Sequence, residues 1–204
     1  MRISPLIIGI SGRKRHGKDV VSTILAEHYG AHRLAFADEL KRVAMGLWDL
    51  SFEQVYGDDK HKETVDERWG ISPRVLMQLL GTEVGRNIHK ETWVRKAFSI
   101  IRKAHAGESV TLPDMTARCF RDFQFSSDQD VWTIPDARFQ SEAEAIKANG
   151  GIVIKVVRPS IISTDSHASE TEVDNVEEDF LIVNDGSLAD LEAKVLALAA
   201  EILQ

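Results

Sequence analysis

The chain has one cysteine in 204 residues, Cys119, which rules out a disulfide framework within it, and nothing around that residue has the spacing of a zinc cluster. Both observations fit a reducing compartment. Positive charge is scarce as well: 25 Lys and Arg stand against 32 Asp and Glu, for a net charge of -7. A protein that grips duplex phosphates normally shows a basic face, so nucleic acid is not an expected partner. Long apolar runs are missing too. The stretch Pro5–Ile10 is only a few residues long, too short for a membrane span or the core of a signal peptide, so no membrane partner is expected. No internal repeat is visible. What is there, 43% apolar and 28% charged residues, is the make-up of a soluble, cytoplasmic globular protein with a real core.

Pro5–Ile10 is a continuous, branched apolar run, the pattern of a parallel strand covered on both faces. Val20, Val21, Ile24 and Leu25 then recur at helical spacing, and Gly30 stands where a left-handed helix stop belongs. Further apolar runs at Arg33–Phe36, Val131–Pro135, Ile152–Val157 and Phe180–Val183 alternate with helical patterns. They predict an α/β fold of three layers around a five-stranded parallel sheet. Between the second and third runs lie helical stretches at Glu39–Trp48, Ser51–Tyr56 with Ser51 and Gln54 as a capping box, Ser72–Leu80 with Pro73 at its first position, and Trp93–Ala104. These read as an insertion over the carboxyl edge of the sheet. Gly107–Asp130 has no clear period and is expected to be a mobile loop. Pro159–Asp179 carries seven carboxylates with no Lys or Arg and reads the same way. Ser187 caps a last helix whose apolar face is Leu188, Leu191, Val195, Leu198 and Ile202.

Gly12-Arg13-Lys14-Arg15-His16-Gly17-Lys18 fits G-x-x-x-x-G-K, with a buried strand before it and an amphipathic helix after it. That context makes it a phosphate-binding loop. Its glycines let backbone N–H groups close on a β-phosphate, the helix start adds its dipole, and Lys18 reaches the β- and γ-phosphates. Asp19 departs from the pattern, standing where Ser or Thr usually meets Mg²⁺; it can instead cap the helix. A second constellation, Ile134-Pro135-Asp136-Ala137-Arg138, ends the third predicted strand, where open parallel sheets line their ligand crevice. There an Asp can hold a metal-bound water or orient an acceptor, and an Arg can clamp a phosphate; a loop salt bridge is the plainer alternative. In Ser72–Thr82, Leu76, Leu79 and Leu80 are core by spacing, while Arg74 and Gln78 share one face. Spacing alone favours a solvated face for that pair and a core position for Trp93. His167 is isolated and carries no chemistry by itself.

In order along most of the chain, Gly12–Asp19, RVLMQLLGTE with Trp93 downstream, IPDAR, IKVVRP, DSHASE and VNDGSLADL resemble the deoxynucleoside monophosphate kinases of tailed bacteriophages, a branch of the P-loop kinases. The resemblance implies one kinase domain with a helical substrate-binding insertion at 37–130 and a lid at 158–179, using ATP and Mg²⁺ on a deoxynucleoside monophosphate. It implies Gly12, Arg15, His16, Gly17, Lys18, Asp19 and Val20 around the ATP phosphates, with Asp19 as a family trait that serves the metal. Asn184 and Asp185 would lie near the adenine. Lys14 would lean toward the acceptor phosphate; Arg74, Gln78, Gly81, Thr82 and Trp93 would shape the acceptor pocket; and Asp136, Arg138 and Glu142 would face it from the sheet edge. Val20 stands where relatives can carry Thr. Because the acidic lid lacks arginines, charge neutralisation falls to Lys14, Lys18, Arg138 and Arg158, with Arg118 and Arg121 as further cations. A phage-encoded protein of this kind would work in the host cytoplasm, and the sequence leaves room for a homodimer. Two rivals stay open: a P-loop kinase of the dephospho-coenzyme A or phosphomevalonate type, and a nucleotide switch without turnover. Against a GTPase switch, Asp136–Phe139 lacks the Gly of D-x-x-G, and Val183–Gly186 lacks the Lys of N-K-x-D.

Overall fold

The computed structural model describes residues 5–125, 131–161 and 172–203. They form two compact units, Met1–Ala35 with Ser126–Gln204, and Phe36–Phe125. In chain order the elements are β1 (Leu6–Ser11), α1 (Lys18–Tyr29), β2 (His32–Arg33), α2 (Asp38–Trp48), α3 (Phe52–Tyr56), α4 (Asp59–Glu63), α5 (Pro73–Gln78), a π-helix (Leu79–Arg86) and α6 (Thr92–His105). There follow β3 (Val110–Asp114), β4 (Cys119–Phe123), β5 (Val131–Ile134), α7 (Gln140–Ala148), β6 (Ile152–Val157), a 3₁₀ turn (Glu172–Asn175), β7 (Phe180–Val183) and α8 (Leu188–Ile202).

In the first unit β1 is buried along its whole length because it is central, pairing in parallel with β5 on one side and β6 on the other. β2 flanks β5 and β7 flanks β6, which gives the order β2-β5-β1-β6-β7. Side chains alternate across the sheet, so Leu6, Ile8 and Ile10 share one face. There they join Val21, Ile24 and Leu25 of α1 and Leu191, Val195 and Ala199 of α8 in a single core. On the other face Gly9 admits Ile146 of α7: a Cβ at Gly9 would stand 2.5 Å from its Cδ1. Helices thus cover both faces, and the three-layer α/β expectation with five parallel strands holds.

The second unit packs around Leu40, Ala44, Leu50, Val55, Leu76 and Leu80. Its caps follow the sequence: Ser51 and Gln54 bond reciprocally, and Ser72 precedes Pro73 at the first turn of α5. Two expectations are corrected. Leu79 is exposed rather than core, because the helix widens into the π-helix directly after Gln78 and the spacing changes. Residues 107–125 are not an irregular loop but hold the antiparallel β3–β4 hairpin, whose turn is closed by Asp114 Oδ1 accepting from the backbone N–H of Thr116 and Ala117. Only Val110 and Leu112 are buried in that hairpin, too few to show a period. Arg118 and Arg121 are ion-paired with Glu53 and Asp114 within the same unit.

Candidate active site

β1 delivers the chain to the carboxyl edge beside the point where strand order reverses, the usual ligand crevice of an open α/β sheet. The loop that follows needs glycine at both ends. Gly12 has φ +141°, and a Cβ there would stand 2.3 Å from the Val156 carbonyl oxygen; Gly17 has φ +107°, with Asn184 Nδ2 only 2.9 Å from the same imagined atom. Lys18 opens α1 and is 9% exposed. Its Nζ donates to the carbonyls of Gly12 (2.6 Å) and Arg13 (2.8 Å), so the ammonium is already turned into the loop.

Asn184 braces this loop from the end of β7. Its Nδ2 donates to the His16 carbonyl at 3.0 Å, and its backbone N–H donates to the Val157 carbonyl at 2.7 Å. Asp185 beside it accepts from Lys194 at 2.6 Å, a bond that holds its carboxyl below the usual carboxylate range. A cleft of about 360 Å³ opens here, lined by Arg15, Gly17, Lys18, Asp19, Val20, Arg158, Asn184 and the start of α8. Val20, expected beside the donor phosphates, and Leu188, expected on the apolar face of the last helix, are 36% and 66% exposed and form apolar wall in the cleft. Polar loop, cation and apolar wall together suit a nucleoside polyphosphate.

Asp19 lies in the first turn of α1 with its side chain 84% exposed and Arg33 Nη2 at 3.9 Å. The N-cap is Gly17, without a side-chain cap bond, so Asp19 acts on the helix only through the dipole. Among the described residues no three metal-ligating side chains cluster, and a cation here would rest on one carboxylate plus phosphate oxygens, a donor set that suits Mg²⁺.

The Asp136–Arg138 motif follows β5 as expected. Glu142, however, does not face open space: it is buried, and its Oε2 accepts from the backbone N–H of Arg138 (2.8 Å) and Phe139 (3.2 Å). Its carboxylate therefore closes the first turn of α7 and sets the backbone of Arg138. The F-x-x-E spacing was the available signal, obscured because Phe cannot complete a capping box.

The remaining candidates belong to the second unit. Arg74 is not simply solvated: Nη2 donates to Asp59 at 2.7 Å, and Nε stands 3.3 Å from Glu63. Gln78 ends α5; Gly81 and Thr82 fall inside the π-helix. Trp93 shapes that widened helix. Its ring occupies the space a Cβ on Gly85 would need, 2.5 Å from Cζ2, and its Nε1 donates to the Gly81 carbonyl at 3.0 Å. Trp93→Phe replaces the indole with a smaller ring, leaving that carbonyl without its donor and a gap beside Gly85, a loss of about 1–3 kcal/mol that lowers the melting temperature by ~2–10 °C. Equal melting of the two proteins would show that the bond carries nothing. His167 and the centre of the expected lid lie outside the described residues.

A parallel sheet ordered around a central strand, a glycine loop bent onto the next helix and a lysine at that helix's first residue define a P-loop phosphotransferase fold. The crystal structure of the Thermus thermophilus protein TT1252 has a similar fold, with a TM-score of 0.50 at 16% identity over 97% of this chain and 98% of that one. A model of the deoxynucleotide monophosphate kinase family matches residues 49–195, beginning after the glycine loop. A protein of Acanthamoeba polyphaga mimivirus, provisionally assigned as a deoxynucleotide monophosphate kinase, is 32% identical over 94% of this chain and 95% of its own length. The deoxynucleotide monophosphate kinase of Enterobacteria phage T4 is 32% identical over 64% of this chain, a match spanning 46% of the phage enzyme. The chain belongs to the deoxynucleotide monophosphate kinase family.

Proposed function

We propose that the protein transfers the γ-phosphoryl group of ATP to the phosphate of a deoxynucleoside monophosphate, yielding ADP and the deoxynucleoside diphosphate. The observation that carries this reading is Lys18, buried and aimed into a glycine loop at a helix start, in a chain of this family. An oxygen of the acceptor phosphate attacks the γ-phosphorus as the bond to the ADP oxygen breaks, so the chain forms no covalent intermediate. Its work is positioning and charge neutralisation. Lys18 trades its two loop carbonyls for β- and γ-phosphate oxygens. Arg15, His16, Gly17, Val20 and Asn184 surround the donor, with Asp185 and Lys194 steadying the turn behind the base. Lys14, Arg138 and Arg158 offset charge on the transferring group, and Asp136 orients the acceptor. Arg74, Gln78, Gly81, Thr82 and Trp93, in the second unit, are assigned to the acceptor. Asp19 would hold Mg²⁺, which would offset charge on the polyphosphate.

The test is ADP formation with ATP and Mg²⁺ over a panel of deoxy- and ribonucleoside monophosphates, with dephospho-coenzyme A and phosphomevalonate alongside. At least one deoxynucleoside monophosphate is expected to drive turnover. Consumption of ATP only with the other acceptors, or with none, would end the reading.

Asp19 has its own test. Asp19→Ala is expected to raise the Mg²⁺ concentration for half-maximal rate by about tenfold or more, with Asp19→Ser between Ala and wild type. Melting temperatures should stay within ~2 °C, since no cap bond is lost. A lower melting temperature with unchanged Mg²⁺ demand would make Asp19 a dipole partner of α1 and nothing more.

A further inference from the structure

Arg13, the residue after Gly12, is tied to a partner far along the chain. Its Nε donates to Asp174 Oδ1 at 2.9 Å and its Nη2 donates to Oδ2, a two-pronged guanidinium–carboxylate pair. The pairing holds the Asp174 carboxyl below its ordinary range. Asp174 does not sit on a loose strand of surface. Its 3₁₀ turn is anchored by Val173 and Val176, each 1% exposed, and Lys155 on β6 donates to the carbonyls of Asp174 (2.9 Å) and Val176 (3.2 Å). Nearby acids are used in the same way: Glu178 pairs with Lys155, while Asp179 pairs with Lys147 and accepts from the Val153 N–H. The end of the acidic segment is thus a fixed platform beside the sheet rather than a run of spare charge.

The backbone of Arg13 is where this platform meets the loop. Its carbonyl accepts from Lys18 Nζ at 2.8 Å and from the His16 N–H at 3.2 Å. A rigid turn therefore holds a side chain whose own backbone helps to place the lysine. We propose that Asp174 is a positioning residue for phosphoryl transfer, acting through Arg13 on the phosphate loop and Lys18. The inference rests on the kinase reading given above. The pair's side chains are 28% and 51% exposed, so little global stability depends on it. Its effect belongs in the rate, where small misplacements of a reacting group cost up to about a hundredfold.

Charge and position can be separated because the two partners carry opposite signs. Asp174→Asn and Arg13→Ala both break the pair, yet one removes a negative charge near the polyphosphate and the other a positive one. Turnover at saturating substrates is expected to fall about tenfold in both. ATP affinity, measured by calorimetry without acceptor, should be unchanged or tighter in Asp174→Asn and about threefold weaker in Arg13→Ala. Arg13→Lys keeps the charge but not the fork, so it should share the lost turnover and keep near-normal ATP affinity. The double variant Arg13→Ala/Asp174→Asn should be no slower than Arg13→Ala alone. Turnover of Asp174→Asn within twofold of wild type, or losses that multiply in the double variant, would overturn the proposal. If wild type showed no kinase activity at all, the failure would lie with the reaction assigned, and the calorimetric comparison would still report whether the pair shapes the ATP site.

Discussion

Lys18→Ala is expected to lower turnover about a thousandfold while the protein stays folded. The side chain lost is an ammonium whose position is set by the Gly12 and Arg13 carbonyls before any nucleotide arrives. Its charge matters most where negative charge develops between the β- and γ-phosphates. Two hydrogen bonds to loop carbonyls disappear as well, a loss of about 1–2 kcal/mol that a chain of this size tolerates. Turnover with each acceptor and circular dichroism on the same sample check both halves. A variant that keeps even a tenth of wild-type turnover would take the loop out of the mechanism.

Gly12→Ala should be the most damaging single methyl group in the first unit. The Cβ would stand 2.3 Å from the Val156 oxygen, and that oxygen belongs to the backbone of β6, an inner strand held between β1 and β7, where it has little room to move. The backbone at φ +141° is also one that L-residues rarely adopt. Steric overlap and strain together cost about 4 kcal/mol or more, expected as a fall of ~10 °C or more in melting temperature. Soluble yield is expected to drop with it. A thermal melt close to that of wild type would mean that β6 shifts freely at Val156, and the close fit of loop to strand would lose its importance.

The strands were legible in the sequence because each is a short branched run with polar or glycine boundaries: β6 and β7 run over the residues the pattern marks. The edge strand β2 was predicted as Arg33–Phe36 and is only His32–Arg33, since pairing with β5, not apolarity, sets its length. The glycine loop and Lys18 were legible as spacing plus context. The braces were not. Asn184 on the His16 carbonyl, Glu142 on the Arg138 N–H and Asp174 on Arg13 each join residues whose relation is made by topology or by an unusual cap, and no local period announces them. The π-helix escaped for a related reason: the Trp93 ring fills the space beside Gly85 and bonds the Gly81 carbonyl, while Leu40 fills the space beside Gly81, and only these packed side chains explain why two glycines sit there. Leu188 was legible only as part of the apolar face of α8, because helical spacing marks apolar residues without distinguishing a core from the wall of a cleft.

The central place of β1 has a consequence for how the protein is made. It is made before the other strands of its sheet, yet Leu6 finds its partner only at Val131, and Ile8 finds another only at Ile152. At about 5–20 residues per second, an apolar strand waits several seconds or more during synthesis with both edges unpaired. Asn184, which braces the glycine loop, is made later still. A nascent chain of this protein therefore passes through a long interval in which its most aggregation-prone segment is complete and its nucleotide site is not. Bound nucleotide can offer no protection until the last strand is in place.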